Sequence, residues 1–179
     1  MFSEDQNEKL KADLDGGCVK TRRQSGRALS YIEGWKAIES ANAIFGFDGW
    51  SRNTEDMRCV FEGKVTSGDP PTEKDFAAYI ATVRVTVCTG NVGPDVIRTG
   101  TGYGSGFGKN PGEAHEGAVK EAETDAMKRA LMTFGYQFGL ALYDKAQEHV
   151  TGNDDSKPAK PSDKPAPTGD AELDSILDV

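Results

Sequence analysis

Two adjacent cations, Lys128 and Arg129, stand among apolar residues in the stretch ETDAMKRALMTFG, Glu123 to Gly135. Lysine and arginine offer only donors and positive charge, so cations held at fixed spacing on a helix can meet phosphates. Consecutive helical residues project about 100° apart, so the pair cannot follow one stripe and at least one member sits at the edge of the packed face. Composition and spacing stop there, and on them alone the more frequent reading is a surface side chain whose stem lies along apolar neighbours.

The remaining chemistry-bearing residues exclude more than they suggest. In the glycine run GTGYGSGFGKN, Gly100 to Asn110, a Walker loop would need glycine where Tyr103 stands and Ser or Thr where Asn110 stands. The G-x-G-x-x-G pattern fails at Ser105 when begun at Gly100 and at Phe107 when begun at Gly102. Alternating glycines fit better a flexible connection leaving a strand, or a place where another backbone approaches closely. His115 and His149 lie far apart, neither belongs to H-E-x-x-H, and no G-x-S-x-G is present. Glu121, Glu123 and Asp125 read as solvated helix charges rather than as an acid and base pair. Cys18, Cys59 and Cys88 are odd in number and form no C-x-x-C, which suggests neither a disulfide framework nor a zinc site. We therefore expect no enzyme active site, no metal and no cofactor.

These residues need a scaffold, and 179 residues suit one domain of ordinary size. With 36% apolar and 28% charged residues and no run of about 18 apolar residues, the chain reads as soluble and not membrane-bound. The acidic opening MFSEDQNEKL lacks the layout of a signal peptide, so a cytoplasmic location is expected. A net charge of −8 argues at face value against a polyanionic partner. Residues 150–179, however, hold seven acids and three lysines, four of the eight prolines and no aromatic residue. Residues 1–149 are thus read as the folded domain, only mildly acidic, and 150–179 as a disordered acidic tail. The tail ends in DAELDSILDV, where Leu173, Ile176 and Leu177 at helical spacing read either as a frayed end or as a short peptide that docks on a protein partner or on the chain's own basic surface.

Within residues 1–149 the pattern runs α, β, α. SEDQNEKLKADL opens with Ser3 and Gln6 in capping-box spacing and predicts a helix. YIEGWKAIESANAIFGFDGW sets Trp35, Ile38, Ala41 and Phe45 on one helical face ending at Gly46. WSRNTEDMRCVFEGKV is a weaker strand candidate, joined through VTSGDPPTE to a strand in which Ala77, Tyr79, Ala81, Val83, Val85 and Val87 form an apolar face. GNVGPD is a turn, after which VIRTGTGYG returns antiparallel. The last helix starts with Asn110 as N-cap, Pro111 in the first turn and Glu113 as capping carboxylate. Ala114, Ala118, Ala122, Ala126 and Ala130 give it a smooth stripe, with Val119, Met127, Leu131, Phe134 and Phe138 beside it as the core face.

Four segments in this order carry a resemblance: SYIEGWKAIESANAIFGFDGW (Ser30 to Trp50), TVRVTV (Thr82 to Val87), GYG (Gly102 to Gly104) and KEAETDAMKRALMTFG (Lys120 to Gly135). Over roughly residues 22–145 the chain resembles the N-terminal annealing domain of the Rad-fifty-two recombination proteins. The resemblance implies an α+β fold with an antiparallel sheet, a hairpin or meander, packed on a long C-terminal helix, and subunits assembled as a homo-oligomeric ring. It also implies single-stranded DNA in a basic groove and ATP-independent annealing of complementary strands during recombination and double-strand break repair. By the same resemblance the groove cations are Arg22, Lys128 and Arg129, the groove tyrosine is Tyr31, and an outer site for DNA, duplex included, falls on Lys74, Lys109 and Lys145. Met132 and His149 replace residues that are usually basic in the family, and the spacing to Tyr31 leaves Arg23 and Arg27 as alternatives to Arg22. The short chain and its acidic tip suggest a compact bacterial or phage version. Two other classes compete: a nucleotide-dependent enzyme using the glycine run, and a protein-interaction module using the tail and a sheet edge.

Overall fold

A computed structural model describes residues 2–24, 27–67, 70–90 and 93–152. The acidic tail from residue 153 on, with its terminal peptide, lies outside the described residues, as do residues 68–69 of the VTSGDPPTE connection. Helix α1, Glu4–Lys11, opens with the expected capping box: the Ser3 hydroxyl accepts from the Gln6 backbone, and the Gln6 side chain accepts from the Ser3 nitrogen. Strand β1, Leu14–Asp15, pairs in parallel with β7, Val150–Thr151, so the ladder takes in the first two residues assigned to the tail.

Strands β2, Val19–Gln24, and β3, Arg27–Ile32, form an antiparallel pair. Helix α2, Gly34–Phe45, follows and stops at Gly46, whose φ of 87° suits glycine. Its buried stripe is Ala37, Ser40, Ala41, Ile44 and Phe45. The expected face is corrected here: Trp35 is 61% exposed, because the stripe through residues 37, 41 and 44 meets the core and leaves Trp35 on the flank.

The main sheet has the order β4-β5-β6, all antiparallel: β4 is Trp50–Ser67, β5 Thr72–Val87 and β6 Val96–Gly108. The weak strand candidate is thus an 18-residue edge strand, with two register irregularities between Thr54 and Asp56 and between Cys59 and Phe61. On β5, Ala77, Ala81, Val83, Val85 and Val87 are buried on one face, as the alternation predicts.

Helix α3, Pro111–Met132, lies along that face. The Asn110 side chain caps it by accepting from the Glu113 nitrogen, and Glu113 in turn accepts from the Lys109 nitrogen. All five stripe alanines are buried and face the glycines of β6. A Cβ at Gly102 would stand 2.2 Å from the Ala126 nitrogen, and one at Gly104 would stand 2.2 Å from the Ala122 nitrogen. Of the two expectations for the glycine run, close approach holds. The flexible connection is corrected, since Gly100 to Gly108 are strand residues.

The helix stops before Phe134 and Phe138, which sit in the turn and the 3-10 segment beyond it. There Phe134 packs with Phe2, Phe45 and Phe138, with ring centroids 5.3 to 6.4 Å apart.

Gly102→Ala is expected to lower stability by about 3 kcal/mol, the upper end of overpacking costs, because the clash is with helix backbone rather than a movable side chain. Thermal unfolding followed by circular dichroism measures it. A Tm within a degree of the parent would show that α3 can shift away from the strand.

Candidate nucleic-acid interface

The β2–β3 pair sets one half of the surface. Lys20 is opposite Tyr31 and Arg22 opposite Leu29, and alternation puts all four on one face. Arg23 falls on the other face. The Arg22 guanidinium carbon lies 5.7 Å from the Tyr31 ring centroid. Helix α3 supplies the other half: the Lys128 ammonium lies 5.7 Å from the same centroid. Two cations within about 6 Å of one ring are inside cation–π range. Arg22 is therefore the arginine beside Tyr31, while the side chain of Arg27 lies outside what is described.

Lys128 is half-buried, its Nζ 3.5 Å from the Ile32 carbonyl oxygen. Burial pushes its pKa below the usual lysine value. The charges of Arg22 and Arg129 push the same way, while Asp125 and Glu121 oppose them. Arg129 is exposed, and its Nε donates to Asp125 Oδ2 at 2.8 Å. That hydrogen bond holds the guanidinium above its ordinary pKa. Arg22, Tyr31 and Lys128 thus come together where the β2–β3 pair meets α3, with Arg129 beside Lys128 on the helix, and the four offer donors and a π-face. Among the described residues no group of three or more His, Cys, Asp or Glu is placed to hold a metal ion.

Lys74, Lys109 and Lys145 do not gather in one place. Asp75 pairs with Gly108, so Lys74 and Lys109 share one end of the sheet, beside the small core of Ala77, Ala114 and Ala118. Lys145 lies between Ala141 and Val150, both packed in the larger core at the other end of α3. Each of the three is exposed.

His149, partly exposed, is engaged with neighbours in its own chain. Its ring stacks on Tyr136 at 4.0 Å, and its Nδ1 is 2.9 Å from Asp13 Oδ1. The glycine run has no room for a phosphate on its α3 side, which the helix backbone fills.

Two residues escaped the sequence reading. Lys20 joins the face of Arg22 and Tyr31, a placement that register alone reveals. Asp125, read as a solvated charge, is the partner of Arg129, and the i,i+4 spacing could have signalled it.

No helix among the described residues is long and apolar enough to cross a membrane. A model of the Rad52/22 family double-strand break repair protein matches residues 3–161. The DNA repair and recombination protein rti1 of Schizosaccharomyces pombe is 42% identical over 122 residues, covering 67% of this chain and 30% of the relative. The DNA repair and recombination protein RAD52 of Saccharomyces cerevisiae is 36% identical over 149 residues, covering 80% of this chain and 28% of the relative. The chain therefore spans less than a third of these relatives' length. Both are fungal proteins, and the bacterial or phage origin expected from chain length has no support in them. With the matched region running through the capped α1, the glycine strand and the Lys128–Arg129 helix, this chain belongs to the Rad52/22 family of double-strand break repair proteins.

Proposed function

We propose that this chain binds single-stranded DNA along the Arg22–Tyr31–Lys128–Arg129 surface and anneals complementary strands, without ATP, metal or other cofactor, in homologous recombination and double-strand break repair. The observation that carries the reading is the Tyr31 ring with the Arg22 guanidinium and the Lys128 ammonium each 5.7 Å from its centroid. Annealing needs the backbone gripped and the base edges left unread. Arginine and lysine grip phosphates without reading sequence, and an aromatic ring offers a stacking platform worth about 1–3 kcal/mol per base. The relatives' names as DNA repair and recombination proteins agree with that chemistry. On this reading the chain has a binding role in place of a catalytic one, and it works inside the cell with nucleic acid.

The ring assembly belongs to the same proposal. Two unlike apolar surfaces are exposed. One is the flank of α2, with Trp35 61% and Phe47 87% exposed. The other is the sheet face turned away from α3, where Phe61, Phe76 and Phe107 pack in a row at tilted angles on the face that also carries Tyr103. A contact between unlike surfaces is head-to-tail, and such contacts close into rings when the rotation allows. In such a ring, Lys145 of one copy and Lys74 with Lys109 of the next could line a common outer track, including one for duplex DNA. The division into a domain of residues 1–149 and an acidic tail available to a protein partner completes the proposal.

Replacing Lys128 and Arg129 together by alanine is expected to weaken single-strand binding about a hundredfold, from two lost charge-assisted contacts. The slope of log affinity against log salt should flatten by about 0.7 per contact. Fluorescence anisotropy on a labelled oligonucleotide and a two-strand annealing assay read both effects. Parent-like binding by an intact oligomer would remove the groove from the reading.

Lys128 also gives the affinity a pH dependence. Its proton is held less tightly in the folded chain than in the unfolded one, so its cost to folding is present at neutral pH and is relieved as pH rises through the depressed pKa. The charge that meets phosphate fades over that same rise. Single-strand affinity should therefore begin to fall below the pH at which an ordinary lysine deprotonates. Lys128→Arg, always charged, should remove the fall. An identical alkaline profile for both proteins would show that Lys128 contributes no charge to the contact.

A further inference from the structure

We infer that Asp125 is a positioning residue of this surface: its carboxylate fixes the Arg129 guanidinium through Nε and leaves both terminal nitrogens for a phosphate. The inference rests on the single-strand reading above and deepens it. Nothing in a polyanion-binding surface obviously calls for an acid, so the placement of this one needs a reason.

The geometry supplies it. Arg129 Nε donates to Asp125 Oδ2 at 2.8 Å, and among the described residues Nη1 and Nη2 make no hydrogen bond. A guanidinium has two hydrogen-bonding edges, one shared by Nε and one Nη, the other formed by the two Nη groups. Engaging Nε steadies the plane and keeps the Nη edge open, which matches two phosphate oxygens in a bidentate contact. The arginine side chain is about half exposed and its partner about a third. Without a partner, a chain of this length would sample many rotamers and would have to be ordered when the strand arrives. An exposed i,i+4 pair adds little to helix stability, so stabilising α3 is a weak reason for the acid.

Asp125 acts on the neighbouring cation too. Burial disfavours the charged form of Lys128, and Asp125 is the leading influence holding the proton on. The acid therefore aims one cation and opposes the loss of the other's proton. Its own negative charge stands against Arg22, Lys128 and Arg129, so the surface keeps a positive balance.

The opposite reading is that the carboxylate occupies the phosphate's place and must be displaced. The two differ in sign. The experiment measures affinity of the full chain for a fluorescein-labelled oligothymidylate by anisotropy, for the parent, Asp125→Ala, Asp125→Asn, Arg129→Ala and Asp125→Ala with Arg129→Ala. Alanine is a strong helix former and the site is solvated, so each variant should keep the parent's oligomer size and Tm. Asp125→Ala should bind about threefold more weakly or worse, although it removes a negative charge. Asp125→Asn should recover most of that loss, because its amide oxygen still accepts from Nε. In the Arg129→Ala background the further change at Asp125 should cost much less, because only its influence on Lys128 remains, and that difference is the signature of action through Arg129. Equal or tighter binding by Asp125→Ala overturns the inference and makes the carboxylate a competitor of phosphate. A loss of equal size with and without Arg129 overturns it as well. A parent that fails to bind the oligonucleotide removes the single-strand reading and this inference together.

Discussion

The contact between β6 and α3 governs this structure. Two residues along a strand advance about 6.7 Å and four along a helix about 6.0 Å, so alternate glycines and every fourth alanine keep nearly equal spacing. Gly100, Gly102, Gly104 and Gly106 each meet backbone atoms of the stripe alanines, descending from Ala130 to Ala114 as the strand ascends. The helix therefore runs antiparallel to β6 with nothing larger than an alanine methyl between them. Once Ala126 and Ala130 are fixed on that seam, Lys128 is turned about 200° and Arg129 about 300° from Ala126 around the helix. The cations leave the seam because the alanines occupy it.

Much of this was legible in the sequence, and the reasons are local. The Ser3–Gln6 box, the Asn110 cap and the period-two face of β5 each follow from neighbours a few residues apart, and each holds. On α2 the expected Ile38, Ala41 and Phe45 do meet the core and only Trp35 was misplaced, because a helix wheel does not fix where the edge of the packed face falls. The glycine run left two outcomes open because glycine tolerates almost any backbone, and it took the facing alanines to choose between them. Phe134 and Phe138 were placed on α3 because apolar spacing continues past the point where the chain turns at Gly135. Within the candidate site, Lys128 and Arg129 stood out as a pair, yet Tyr31 and Arg22 joined them through family resemblance. Lys20 needed the strand register, which no local pattern encodes.

Net charge was a poor guide to what the surface could meet. The chain as a whole carries −8, but the region around Tyr31 gathers Lys20, Arg22, Lys128 and Arg129 with Asp125 as the paired acid. What a partner feels within a Debye length of about 8–10 Å is this local arrangement. The same locality explains why Lys128 sits at a disadvantage: a half-buried ammonium among other cations costs folding energy, a cost often found where a surface is shaped for a ligand.

The short ladder between Leu14–Asp15 and Val150–Thr151 has its own consequence, which concerns the order of events in folding. Its partners are 136 residues apart, as are His149 and Asp13 beside them. The unit from β4 through α3 is contiguous in sequence and carries the densest packing, so its closure involves much smaller loops. Nucleation is expected in that unit, with the terminal ladder closing on a framework already in place. The ladder has two pairs of residues, with Leu14 buried in the main core, Val150 packed against it and the His149 ring stacked beside it on Tyr136. With only two residue pairs at the chain's ends, its amide hydrogens are expected to exchange by local fraying ahead of those of the glycine–alanine seam.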